Sequence, residues 1–276
     1  VIYRGKIQSH ALMAMVKELD IQLFEVQIDK EDQWQDWQII LVDGSPNKSN
    51  AQPIGREVFG VIDHHPQPGN LDCPWVEIRS SYGSCSSIVA DLWQGAGIEL
   101  DQKTATALLM GIQMDTDFLS RGVSPMDLAA FHRIFFIADW QFGTRTLKTS
   151  LAIDDLDKIE MAISRCKLRP PLLFTEIPVN CRPELISVLA DFFLRLKEVL
   201  VSVIIEAGGD QYRISIRSRD EKFCANDLIG YMVQGVGKGG GHEHMAGGAI
   251  LPEQYPGADY LYKRCLTYVE EQEGKH

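Results

Sequence analysis

Apolar and polar positions follow two rhythms along the first half of the chain. Residues 1–3 and 22–26 read as short strands, and residues 10–19 between them carry apolar side chains at helical spacing. Residues 37–42 and 58–62 contain the near-continuous apolar runs Ile39-Ile40-Leu41-Val42 and Val58-Phe59-Gly60-Val61-Ile62. Such runs mark strands buried on both faces, as in parallel sheets. Residues 75–79 form a further strand candidate. Helices then dominate, over residues 86–94 and over 101–114, where Asp101 is the expected N-cap. Ser124, Pro125 and Asp127 supply a cap, a proline at the first helical position and an acid in the first turn of a helix reaching about Ala138. Residues 154–164 are amphipathic.

Prolines punctuate the chain from Arg169-Pro170-Pro171 to Arg182-Pro183, which predicts a domain boundary near Cys166 to Pro170. A helix over 183–197 follows, then strands over 199–206 and 211–218 paired around Gly208-Gly209-Asp210. The expected class is α/β: a mostly parallel sheet with flanking helices, followed by a smaller α/β domain. At about 150 residues per domain, 276 residues fit two domains.

Composition narrows the function classes. With 45% apolar and 24% charged residues, disorder and fibrous repeats are excluded. The 27 Lys and Arg against 38 Asp and Glu leave a formal charge of −11, so duplex DNA is not an expected partner. No apolar run reaches the ~18 residues of a membrane span, and no signal segment opens the chain. The six cysteines are scattered without a CxxC pair, which fits reduced thiols in a cytoplasmic protein.

Three acids follow buried elements. Asp43 ends the strand 39–42, Asp63-His64-His65 ends the strand 58–62, and Asp115-Thr116-Asp117 ends the apolar helix 101–114. In open α/β sheets ligands bind at the carboxyl ends of strands. A single strand-end Asp serves equally well as a turn or helix cap. Three clusters, one with two histidines, favour a cation held by carboxylate and imidazole, which suits Mn²⁺, Fe²⁺, Co²⁺ or Zn²⁺, or Mg²⁺ where water completes the shell. A second constellation is Gly239-Gly240-Gly241-His242, followed by Ala246-Gly247-Gly248. Glycines let backbone N–H groups approach an anion, and Arg217 and Arg219 at a strand end suit phosphate.

Other signals carry less. Gly235-Val236-Gly237-Lys238-Gly239-Gly240 matches GxGxxG by letter, but too little chain follows for a βαβ unit. Met232 stands where a P-loop needs its first glycine. Gly83-Ser84-Cys85-Ser86-Ser87 reads as a helix cap, with Cys85 as packing rather than nucleophile. Trp34 and Trp37 read as packing residues.

At Asp63-His64-His65 the chain resembles the DHH phosphoesterases that carry a C-terminal DHHA1 domain, and among them the proteins called exopolyphosphatase-related. The resemblance covers nearly the whole chain. Ile39-Ile40-Leu41-Val42-Asp43 looks like the family's second motif, the triplet its third, and Gly111-Ile112-Gln113-Met114-Asp115-Thr116 its fourth. Arg217-Ser218-Arg219 and Gly239 to His242 look like the DHHA1 signature. The resemblance implies a DHH domain over residues 1–167 and a substrate-binding DHHA1 domain over 168–276. It implies that Asp43 bridges two Mn²⁺ ions (Mg²⁺ or Co²⁺ being alternatives), that His64 and Asp115 ligate one of them, that Asp63 supports the site, and that His65 faces the scissile phosphate. Arg217, Gly239, Gly240, Gly241 and His242 would hold the rest of the substrate.

Two departures stand out. The family's first motif, a His followed by Asp-x-Asp, is absent, and Tyr3-Arg4-Gly5-Lys6-Ile7 looks like the end of the second strand. With Val1 in place of Met, the expectation is a chain that starts after the first motif and lacks part of the ligand set. Asp117 stands where many members have Gly, and is expected to face solvent. The implied activity is phosphoric ester hydrolysis, on phosphodiester or phosphoanhydride bonds of a small nucleotide, a short single-stranded oligonucleotide or polyphosphate. A homodimer is also implied, and no membrane partner. The alternatives are a non-catalytic nucleotide-binding or regulatory module, predicted by a natural loss of the first motif, and a polyphosphatase or pyrophosphatase without nucleotide preference.

Overall fold

In the computed structural model, described residues are 1–3, 7, 9–26, 36–46, 57–66, 70–149 and 151–274. Arg4, Gly5, Lys6 and Trp34 therefore lie outside the described residues. The chain divides into two compact units, Val1–Thr149 and Ser150–His276.

The first unit opens with β1 (Ile2–Tyr3), α1 (His10–Glu18) and β2 (Phe24–Glu25), with β1 and β2 paired in parallel. A second sheet has the order β3 (Ile39–Val42), β4 (Val58–Asp63) and β5 (Trp75–Ile78), all parallel. The runs that read as doubly buried strands are thus β3 and β4. Val61 is fully buried, whereas Ile40 and Val42 of β3 are largely exposed.

Helices α2 (Cys85–Gly95), α3 (Gln102–Asp115), α4 (Pro125–Phe135) and α5 (Trp140–Lys148) follow. Their starts are written in local chemistry. Ser84 caps α2 by accepting from Ser87 N–H, and Asp101 caps α3 by accepting from Thr104 N–H. At α4, Ser124 and Asp127 bond each other's backbone in a reciprocal capping box behind Pro125. Ala105, Leu109 and Ile112 of α3 join Ala90 of α2 and Ala130 and Ile134 of α4 in one core. Helix α2 meets β4 through Ile62, Cys85 and Ile88.

In the second unit, α6 (Leu156–Ser164) precedes β6 (Lys167–Arg169), β7 (Leu172–Ile177), α7 (Pro183–Phe193), β8 (Val201–Ala207), β9 (Tyr212–Ser218), α8 (Ala225–Val233), β10 (Lys238–Gly241), β11 (Met245–Ile250) and α9 (Ala258–Glu273). The sheet order is β10-β11-β9-β8-β7-β6, with β7 and β8 parallel and every other pair antiparallel. Both faces are covered. Val203 and Ile216 pack under α8 and α9 with Leu228 and Leu261, and Leu173 and Ile204 pack under α6 and α7 with Ala162 and Leu189. Helix α6 is tied to this sheet through Thr175 Oγ1, which donates to the Ala162 carbonyl at 2.9 Å. The expected division at 167/168 runs through β6. Pro170-Pro171 read as a linker, but they join two paired strands.

Candidate metal centre

Asp43 follows β3 with φ of 61°, and its N–H donates to the Ile62 carbonyl of β4 at 2.9 Å. That left-handed turn sets its carboxylate beside the end of β4. There His64 Nε2 lies 3.4 Å from Asp43 Oδ1, and His65 Nδ1 lies 3.9 Å from the same oxygen. Asp63 is fully buried as the last residue of β4. Its Oδ1 accepts from His65 N–H at 3.1 Å and from His65 Nδ1–H at 2.6 Å. His64 Nδ1 lies 3.2 Å from the Tyr82 carbonyl. A carbonyl and a carboxylate only accept, so the contacts to Tyr82 and Asp63 are made with a proton on Nδ1 of each ring. Asp43, Asp63 and His65 each place one ligand-type atom within 4.8 Å of the others.

Asp115 is the last residue of α3. Burial above all, then the charges of Asp43 and Asp127, push its carboxyl up to about 7, with Arg121 opposing. Carboxylates gathered in this way favour a bound cation. Two imidazoles complete a donor set that suits Mn²⁺, Co²⁺ or Zn²⁺, so the residues present fit a divalent metal. Cys85 lies in the same region but is 4% exposed, and its thiol contacts the Ile62 carbonyl at 3.4 Å. Burial, then the charges of Asp43, Asp63 and Asp115, push that thiol up to about 12, which leaves it inert as a nucleophile.

Asp117 has φ of 45°, followed by Phe118 at 55° and Leu119 at 65°. A glycine meets no steric penalty in that region, whereas an Asp there needs local bonding. The Asp117 carboxylate accepts from Ser120 Oγ at 3.0 Å. Tyr82 and Asp127 are site residues that sequence reasoning missed, the first because it acts through its backbone. Trp37 is 63% exposed, in contrast to the packing role expected for it.

The second expected constellation lies within the second unit. Arg217 of β9 pairs across the sheet with Met245 of β11, and its Nε lies 3.2 Å from Asp191 Oδ1. The glycine run is a strand rather than a loop: Gly239, Gly240 and Gly241 of β10 pair with Gly248, Gly247 and Ala246. A side chain at Gly239 would place its Cβ 2.4 Å from Ile229 Cγ1, so close packing on α8 requires the glycine. His242 opens the hairpin turn, with its N–H donating to the Met245 carbonyl at 2.7 Å. Arg219 does not join Arg217 in an anion pocket. Its guanidinium donates to the carbonyls of Leu194, Leu196 and Lys197 just past α7, where a cation complements the helix dipole.

Residues 169–267 match the family model described as the DHHA1 domain. An uncharacterized protein of Methanocaldococcus jannaschii is 24% identical over 251 residues, which is 91% of this chain and 51% of that protein. The chain thus spans about half the length of that curated relative. The structure of an exopolyphosphatase-related protein from Bacteroides fragilis is similar with a TM-score of 0.72 at 16% identity, covering 98% of this chain and 90% of that one. RecJ from Thermus thermophilus, solved with Mn²⁺, is similar with a TM-score of 0.53 at 11% identity, covering 98% of this chain and 52% of that one. Residues 169–267 thus match the DHHA1 domain, and the chain has the α/β fold of the exopolyphosphatase-related protein and of RecJ.

Proposed function

We propose that this chain belongs to a divalent-metal-dependent phosphoesterase acting on the phosphodiester or phosphoanhydride bonds of a small nucleotide, a short single-stranded oligonucleotide or polyphosphate. The observation that carries this reading is the meeting of Asp43 and His64 at 3.4 Å beside the buried Asp63–His65 pair, at the carboxyl ends of two parallel strands. Asp43, His64 and Asp115 would hold the metal, Mn²⁺ by donor chemistry, with Mg²⁺ or Co²⁺ as substitutes. A bound divalent ion there supplies Lewis acidity toward a phosphoryl oxygen and lowers the pKa of water.

The chain's own residues supply the rest. Asp63, buried and accepting twice from His65, fixes that ring with Nδ1 protonated. With Nδ1 so held, the Nε2 edge of His65 is the one that would meet a phosphoryl oxygen. In the second unit, Arg217 and the exposed backbone of Gly240 and Gly241 suit an anionic or planar portion of the substrate. His242 adds an imidazole to that set.

The test is phosphate or nucleotide release by the full-length protein with Mn²⁺, across polyphosphate, a 3′-phosphorylated nucleotide and short RNA. Asp43→Asn and His64→Ala should each lower turnover by at least about a hundredfold, as loss of a metal ligand does. Unchanged turnover in either variant rejects the assignment.

A further inference from the structure

Tyr82 and Gly83 share a peptide group that is held at both of its polar atoms. Its carbonyl accepts from His64 Nδ1 at 3.2 Å, and its N–H donates to Asp127 Oδ2 at 2.8 Å. Asp127 is fully buried, and the same oxygen accepts from Ser124 N–H at 2.8 Å and from Ser124 Oγ at 2.5 Å. The approach depends on residue 83 being glycine. A Cβ there would lie 2.2 Å from the Gly122 carbonyl oxygen and 2.8 Å from Asp127 Oδ2. The far end of Tyr82 is held as well: its hydroxyl donates to Asp91 Oδ2 at 2.5 Å and accepts from Arg79 Nη1 at 3.0 Å.

We infer that Asp127 is a positioning residue for His64, acting through the 82–83 peptide. An amide whose N–H is given to a carboxylate is polarised, and its carbonyl becomes a stronger acceptor, because successive hydrogen bonds reinforce one another in a buried setting. The chain carboxylate–amide–imidazole thus does what a directly bonded carboxylate does behind many metal-ligating histidines. It holds the proton on Nδ1 and leaves Nε2 as the nitrogen that can ligate. The inference rests on the reading of His64 as a ligand, and it gives a second duty to an acid whose local context shows only helix capping.

The decisive measurement is the tautomer of His64 in metal-free, ¹⁵N-histidine-labelled protein at fixed pH, read by long-range ¹H–¹⁵N correlation. Mn²⁺ affinity is measured alongside by the electron paramagnetic resonance of the free ion. The native chain should show His64 protonated on Nδ1. Asp127→Ala should bring in the Nε2–H form and weaken Mn²⁺ binding about tenfold. Asp101→Ala removes a cap at the far end of α3 and should lower the melting temperature while leaving both readouts native. Gly83→Ala displaces the peptide but keeps the Asp127 charge, and should shift the tautomer in the same direction. That variant also separates the peptide route from the direct effect of the Asp127 charge on Asp115, and it keeps the test alive should Asp127→Ala not fold. A native tautomer in Asp127→Ala or Gly83→Ala, or an equal shift in Asp101→Ala, overturns the inference. Failure of the native chain to bind Mn²⁺ overturns the metal reading instead, and the tautomer still decides the relay.

Discussion

Asp43 and Asp117 sit in the left-handed region, at φ of 61° and 45°. Asp tolerates it better than most side chains because it can bond locally. The backbone demand and the chemical demand at Asp43 are therefore separable: Asn keeps the turn and loses the charge. Cys85 shows the opposite coupling, since the burial that positions it also silences it. At pH 8, iodoacetamide should leave Cys85 unmodified in the folded chain and label it once urea unfolds the protein, as peptide mass mapping will show. Labelling of folded Cys85 at the rate of an exposed thiol would contradict its 4% exposure. At this scale the meeting of Asp43, Asp63, His64 and His65 was legible because they lie at the ends of two recognisable apolar strands. The second role of Asp127 was not, because its contact with Gly83 spans 44 residues of sequence. Locally it reads only as a cap.

Among elements, the crossing of α2 and α3 is the tightest constraint on Asp115. A Cβ on Gly111 would fall 2.0 Å from Ser86 Oγ and 3.0 Å from Ser86 Cβ. Gly111→Ala should lower stability by about 1–3 kcal/mol in urea denaturation, the cost of overpacking a filled contact. Ser86→Gly in the same chain should recover most of that loss. No recovery would place the strain elsewhere. The capped helices α3 and α4 and the apolar strands β3 and β4 were readable from pattern alone. Strand β7 was hidden by Pro170-Pro171, whose punctuation suggested a linker. Strands β10 and β11 were hidden by glycines, which lower strand propensity but here admit Ile229 between sheet and helix. Helix α5 was missed because Gly143 interrupts its pattern; that glycine lies against Met110 of α3.

For the molecule as a whole, the α/β class and the presence of two parts were legible from the alternation of elements. The six-stranded mixed sheet was not, because most of its pairings are non-local. Among the described residues no helix is long and apolar enough to cross a membrane. The net charge of −11 makes acid stability informative. In the second unit, burial pushes the Asp155 carboxyl up, but hydrogen bonds from Arg182 and the Ala152 N–H, together with the Arg182 charge, outweigh it and hold it below its ordinary value. A lowered folded pKa stabilises the protein above the unfolded value near ~3.9 and ceases to do so as pH falls through the folded value. Arg182→Met should therefore lower the urea midpoint at pH 7, and the gap to the native chain should close as pH falls below the unfolded value of ~3.9 and through the lowered folded one. A gap that persists unchanged at low pH would show that Arg182 acts through packing alone.

Strand β10 closes one side of the six-stranded sheet, and three of its four residues have no side chain. Of its backbone groups, the Gly241 N–H donates to Asn226 Oδ1 of α8 at 3.0 Å, so that helix covers part of this border. Two traits guard against runaway association: the strand is only four residues long, and it begins with the exposed cation of Lys238. Short length and a charge are the ordinary protections of such a border against fibril growth. With three glycines in the strand, Lys238 is the side chain that β10 itself sets on that border.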